Sequence, residues 1–169
     1  CIYSVNSEER IKVMQKITVV KIGGAFLEDE SLLEAFYEAF SGMEGPKILV
    51  HGGGQRASKL GEDLGIPPRM VEGRRITDAR SLELVTMVYA GWANKKLVSG
   101  LQGRGCNALG VSGADAGLIR ARKRPVSEVD FGFVGDVEHV EIPALLALLD
   151  IGFVPVFCAL THDGRGQLL

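Results

Sequence analysis

Three cysteines in 169 residues, Cys1, Cys106 and Cys158, are odd in number and widely spaced, and no CxxC occurs, so neither a disulfide framework nor a zinc site is indicated. That usage points to a reducing, cytoplasmic setting. Excess charge is also lacking: Lys+Arg 19 against Asp+Glu 21 leaves a net charge of −2, which disfavours a nucleic-acid binder. No charged segment followed by an apolar one opens the chain, as a secretory leader would. Nor is there an unbroken apolar run of membrane-spanning length. Pro143 to Leu160 comes nearest, but Asp150, Gly152 and Pro155 interrupt it, so a helix followed by a buried strand is expected and no membrane partner.

Glycine, by contrast, is abundant. Its 22 occurrences are nearly double the roughly 7% background, which suggests tight turns or backbone approaching a ligand. A hydrophobic content of 46% is enough for a folded core, and the length suits one domain, with residues 1–16 as a peripheral extension and 17–169 as the body. Within the extension, Ser4 to Gln15 can be read as one helix with a ragged apolar face of Val5, Ile11 and Met14.

The body alternates strands and helices. Ile17 to Ile22 is a β-branched run stopped by Gly23-Gly24. An amphipathic helix follows, with Leu32, Leu33, Phe36, Tyr37 and Phe40 on one side and acids in its first turn. A second strand, Lys47 to His51, runs into Gly52-Gly53-Gly54 and another helix to Leu64. Pro67-Pro68 then precedes a short strand or hairpin over Met70 to Ile76, exposing Arg74 and Arg75. Thr77 is expected to cap a long helix whose stripe of Leu84, Val85, Val88, Tyr89 and Trp92 continues less cleanly to Leu101. Strands are expected at Ala108–Ser112, Leu118–Arg122 and Phe153–Phe157, a hairpin over Phe131–Val137 and a helix from Pro143 to Leu149. This order argues an α/β fold with a mainly parallel sheet covered on both faces.

Parallel sheets place ligands beyond the carboxyl ends of their strands, where glycine loops and helix N-termini offer backbone N–H groups to anions. Lys21, in the last turn of a strand before Gly23-Gly24, adds a fixed cation suited to a phosphoryl group in transfer; its bland reading is a strand-end lysine reaching for solvent. Several signatures are missing. No GxxxxGK[ST] is present, which removes the P-loop. Gly103 to Ala108 spells GxGxxA but follows a helix and precedes a strand, the reverse of a dinucleotide site. Gly110-Val111-Ser112-Gly113 falls short of a nucleophile elbow. His51 is either a general base or, as we favour, a side chain held by the loop it precedes. Arg75 in its hairpin suits a carboxylate. Asn94-Lys95-Lys96 reads as a solvated face, and no histidine has a partner at metal-ligand spacing.

In their order, Val19-Val20-Lys21-Ile22-Gly23-Gly24, His51-Gly52-Gly53-Gly54, Gly73-Arg74-Arg75-Ile76-Thr77, the Asn94-Lys95 helix, Val134-Gly135-Asp136-Val137 and Thr161-His162-Asp163-Gly164 resemble the N-terminal half to two-thirds of acyl-glutamate kinases of the amino acid kinase family. The resemblance implies a three-layer αβα sandwich. It implies MgATP as the donor, with Mg²⁺ bound through the ATP, and transfer to the side-chain carboxylate of N-acetyl-L-glutamate in arginine biosynthesis. By the same resemblance Lys21 would be catalytic, Gly23 and Gly24 would bind phosphate, and Gly53, Gly54 and Arg75 would bind the substrate. It implies a homodimer, and it leaves the adenine-binding part unmatched, so this chain alone is expected to be inactive. N-succinyl-L-glutamate is an alternative substrate. A non-catalytic acyl-glutamate sensor, a subunit of a split enzyme and a sibling kinase acting on another carboxylate, a carbamate or a nucleotide are the other readings.

Overall fold

The computed structural model describes residues 16–169, so the helix expected within Ser4–Gln15 lies outside the described residues. Four parallel strands form the central sheet in the order β1 (Thr18–Ile22), β2 (Lys47–His51), β8 (Val154–Cys158), β5 (Ala108–Val111). Side chains alternate across it, as the two-residue repeat of a strand requires. Leu49 and Val156 enter the cluster that holds α1 (Glu30–Ser41) and α4 (Asn94–Gln102), through Leu33, Tyr37, Phe40, Leu97 and Leu101. Ile48, Val50 and Phe157 point the other way, toward Leu145, Leu148 and Leu149 of α5 (Ile142–Asp150). Helices thus cover both faces of a parallel sheet, the expected αβα arrangement. The apolar stretch of Pro143 to Leu160 divides into α5 and β8, broken at Gly152.

A further cluster lies beyond the carboxyl ends of the strands. Ala57 of α2 (Gly54–Asp63) meets Leu82 and Val85 of α3 (Ala79–Thr86), Val88, Cys158 and Leu160 there. Two antiparallel ribbons complete the described chain: β3 (Arg69–Val71) with β4 (Arg74–Ile76), and β6 (Ile119–Lys123) with β7 (Gly135–Val140). Among the described residues no helix is long and apolar enough to cross a membrane.

Local chemistry explains the element ends. The Asp29 side chain accepts from the Ser31 and Leu32 amides, each at 3.0 Å, and so starts α1. At its other end Lys47, only 5% exposed, donates to the carbonyls of Phe40, Ser41 and Met43 at 2.7, 2.9 and 2.7 Å. A cation there meets the negative end of the helix dipole.

Three expectations need correction. The cap of α3 is Asp78, which accepts from Ser81 N at 2.8 Å, because Thr77 spends both backbone groups on Phe131 O and Phe133 N. The hairpin does not span Phe131–Val137: Phe131 to Phe133 docks on Thr77, and the ribbon forms between β6 and β7. The docking depends on Gly132, where a Cβ would collide with the Thr77 carbonyl. Finally, the long helix is not α-helical throughout. Met87–Ala93 is a π-helical segment between α3 and α4. Its buried positions step by five, from Val88 to Ala93, whereas Ala93, Leu97 and Leu101 step by four. This phase change is why the apolar stripe blurs beyond Trp92.

Candidate active site

Because all four strands run the same way, their carboxyl ends share one edge of the sheet. Lys21 stands there opposite Val50, and the next residue, Ile22, stands opposite His51. The Lys21 side chain is exposed and enters no hydrogen bond or ion pair among the described residues. Gly23 and Gly24 follow, leading into a single 3₁₀ stretch over Gly24–Glu28. This loop packs directly on the second glycine loop. A Cβ on Gly24 would lie 2.9 Å from the amide nitrogen of Gly54 and 3.3 Å from the carbonyl carbon of Gly53. Only glycine lets two backbones meet so closely. Gly54 also opens α2, so amide donors and a helix N-terminus face the same edge as Lys21.

The second loop is held from behind by His51, which is 1% exposed. Its Nδ1 lies 2.9 Å from the Gly52 carbonyl, so that nitrogen carries the proton and donates. Nε2 accepts from the Asn94 amide at 3.0 Å, and the same Asn94 nitrogen donates to Val156 O at 2.8 Å. Burial lowers the His51 pKa below its ordinary value; the Gly52 hydrogen bond opposes this and the nearby Lys95 charge adds to it. His51 is therefore a neutral, fully engaged side chain, the structural role favoured from sequence. Asn94, expected on a solvated face, is instead 1% exposed and central to this network. Lys96 is also committed, donating to Leu27 O at 3.1 Å and to Glu30 at 2.7 Å; Lys95 alone of the three is exposed.

Arg75, from β4, reaches across to the loop. Its Nη2 donates to Gly54 O at 3.2 Å and to Ser58 Oγ at 2.7 Å, which fixes the guanidinium at the mouth of an open cleft of about 720 Å³. Gly54, Ser58, Lys59, Met70 and Tyr89 line the same cleft. Of the residues singled out from sequence, Gly54 and Arg75 line this cleft and Gly53 lies behind it against Tyr89. Gly23 and Gly24 belong to the adjoining loop, and Lys21 stands at the strand end preceding it. Tyr89 is the cleft residue that the sequence hides, since an aromatic in a helical stripe reads as core.

A smaller cleft of about 150 Å³ lies at the ends of β5 and β8, among Asn94, Lys95, Ser112, Asp115 and Cys158. Ser112 Oγ donates to Asp115 at 2.7 Å, and Asp115 also accepts from the Ser112 amide. Burial, chiefly, pushes the Cys158 thiol up to about 11, so it is no nucleophile at neutral pH. Among the described residues no group of three or more His, Cys, Asp or Glu side chains is placed to hold a metal ion.

An αβα sheet with two glycine loops and a lysine at its carboxyl edge defines a family, and the match is direct: residues 16–169 fit the amino acid kinase family, to which this chain belongs. Within it, the chain is 54% identical over 158 residues to the acetylglutamate kinase of Bacteroides fragilis, covering 94% of this chain and 60% of that protein. The acetylglutamate kinase of Methanopyrus kandleri is 44% identical over 153 residues, 88% of this chain and 58% of its own. The chain thus spans about 60% of the length of these curated relatives. Among solved structures, N-acetylglutamate synthase from Neisseria gonorrhoeae, in complex with coenzyme A and N-acetyl-glutamate, superimposes with a TM-score of 0.74 at 24% identity, over 90% of this chain and 35% of that one. An isopentenyl phosphate kinase superimposes with a TM-score of 0.54 at 18% identity, over 90% of this chain and 61% of that one. At such identities the likeness concerns the fold.

Proposed function

We propose that this chain is the acyl-amino-acid-binding part of a kinase that transfers a phosphoryl group from MgATP to the side-chain carboxylate of N-acetyl-L-glutamate, as a step toward arginine. The observation that carries the reading is Arg75, latched on the Gly54 carbonyl in a cleft lined by the second glycine loop, against which the Gly23-Gly24 loop packs. A fixed guanidinium suits a carboxylate, and the glycine backbone leaves room for an amide-bearing acyl group. The names of the relatives at 54% and 44% identity support the same substrate.

MgATP supplies the phosphoryl group, and the residues present suit it. The Gly23-Gly24 backbone, which no side chain crowds on the solvent side of Gly23, would hold phosphate oxygens through its amides. Mg²⁺ would arrive on those phosphates. Lys21, with no competing partner among the described residues, would neutralise charge building on the transferring group. The acceptor carboxylate is already ionised, so no general base is required. His51, neutral and bonded on both ring nitrogens, is accordingly a positioning residue. Catalysis then rests on placement and electrostatics. The kinase would act in the cytoplasm as a homodimer; sedimentation tests the latter.

A hydroxylamine-trapped acyl-phosphate assay with MgATP and N-acetyl- or N-succinyl-L-glutamate tests the proposal. Turnover is expected from this chain extended to the length of its relatives. Phosphorylation of the succinyl compound in preference to the acetyl one would change the substrate to that alternative. An extended protein that binds acyl-glutamate without turnover would make it a sensor or one subunit of a split enzyme.

A further inference from the structure

The π-helical turn does more than shift the phase of a buried stripe. In a π-helix residues five apart stack on one side, whereas in an α-helix they diverge. Asn94 donates its backbone N–H to the Tyr89 carbonyl, and the two side chains face the same glycine loop. Asn94 holds the loop through His51, and Tyr89 lies against Gly53. The ring contact is close: a Cβ on Gly53 would sit 2.8 Å from Tyr89 Cδ1 and 3.1 Å from Cε1. The ring is therefore fixed from behind by backbone. Its other side lines the cleft that holds Arg75, and its hydroxyl enters no hydrogen bond among the described residues. Burial raises the phenol pKa, so the hydroxyl stays protonated at neutral pH and can donate.

We propose that Tyr89 is the specificity-determining residue for the acyl end of the ligand, its ring walling the cleft and its Oη donating a hydrogen bond to the amide carbonyl of an N-acyl amino acid. The inference rests on the reading of this cleft as an acyl-glutamate site. Two donors of different character converge there. The Arg75 guanidinium suits the ionised carboxylate, and a neutral phenol beside apolar ring surface suits an uncharged amide oxygen. A free α-ammonium would place a cation within the field of Arg75, a repulsion that the weakly accepting phenol oxygen of Tyr89 offsets only in part, so the same pair favours acylated over free glutamate.

Titration calorimetry of the chain extended to the length of its relatives, with N-acetyl-L-glutamate and with L-glutamate, tests this, using the wild type, Tyr89→Phe and Tyr89→Leu. Tyr89→Phe fills the same space without the hydroxyl. It should weaken N-acetyl-L-glutamate about three- to tenfold, the worth of one neutral hydrogen bond, and change L-glutamate less, so the acetyl-over-free preference falls. Tyr89→Leu should lose more and admit bulkier acyl groups. A second readout is the tyrosine Cζ resonance that is missing from Tyr89→Phe: in the labelled wild type it should move at saturating N-acetyl-L-glutamate. An unchanged acetyl-over-free preference in Tyr89→Phe, with no moving resonance, overturns the role of Tyr89 while leaving the site intact. A wild type that binds neither N-acetyl- nor N-succinyl-L-glutamate overturns both readings.

Discussion

Replacing Lys47 by methionine isolates one buried cation. Its ammonium donates to three carbonyls, Phe40 at 2.7 Å, Ser41 at 2.9 Å and Met43 at 2.7 Å, at the end of α1, and it lies 5.2 Å from the centre of the Phe40 ring. Methionine keeps most of the stem and its packing, and removes the charge and all three donors. Hydrogen bonds involving a charged group contribute about 1.5–3 kcal/mol each, but three that share one ammonium cannot add fully, and the wild-type lysine also gives up water on folding. A net loss of about 3–4 kcal/mol is expected. At about 2–4 °C per kcal/mol for a chain of this size, Tm should fall by roughly 10 °C. Urea unfolding should show a lower midpoint with an unchanged slope. Lys47 and His51 lie at opposite ends of β2, so N-acetyl-L-glutamate affinity at low temperature should not change. A Tm within about 2 °C of wild type would refute the reasoning and mean that water satisfies those carbonyls.

The remaining predictions concern the site. Because His51 is held below its ordinary pKa, the unfolded chain takes up a proton before the folded one does; stability is complete above about pH 6.5 and falls as the pH drops from there toward the lowered folded value. His51→Gln should flatten that part of the urea-midpoint profile between pH 7.5 and 5, and parallel profiles would contradict it. Lys21→Ala should melt like wild type, since Lys21 is exposed, yet cut turnover of the extended protein about 10²–10³-fold in the hydroxamate assay. Arg75→Ala should raise KM more than it lowers kcat. Gly24→Ala forces a Cβ to 2.9 Å from the Gly54 amide nitrogen, so it should cost about 1–3 kcal/mol in denaturant unfolding and weaken acyl-glutamate binding as the second loop shifts.

How much of this was legible in the sequence depended on whether the signal was local. The strands ending at Ile22 and His51 and the helices beginning near Glu30 and Gly54 follow from β-branched runs, glycines and caps, all within a few residues of the element they set. The likeness of the glycine loops and of Gly73-Arg74-Arg75-Ile76-Thr77 to a family was equally readable. Signals that depend on distant partners were not. Asn94 looks like any polar residue beside two lysines; its burial depends on His51 and on Val156, which is 62 residues away. The true cap, Asp78, displaced Thr77 because the Phe131–Phe133 segment claims the Thr77 backbone. Tyr89 reads as core in a regular α-helix, and because Val88 to Ala93 is an almost unbroken apolar run, the five-residue step between its buried positions leaves no mark in the sequence.

That step separates two allegiances of one continuous helix. Leu82, Val85 and Val88 belong to the cluster beyond the strand ends, and Ala93, Leu97 and Leu101 belong to the core beneath the sheet. The π-helical turn joins them with a backbone geometry that is rare in proteins and here lies far from either helix end. Amide exchange with solvent deuterium should therefore follow an unusual profile, with protection high in both halves and lowest at mid-helix around Gly91 and Trp92, where ordinary helices are most protected. The two halves would then open as separate cooperative units, with the boundary between them passing beside the residues that hold the second glycine loop.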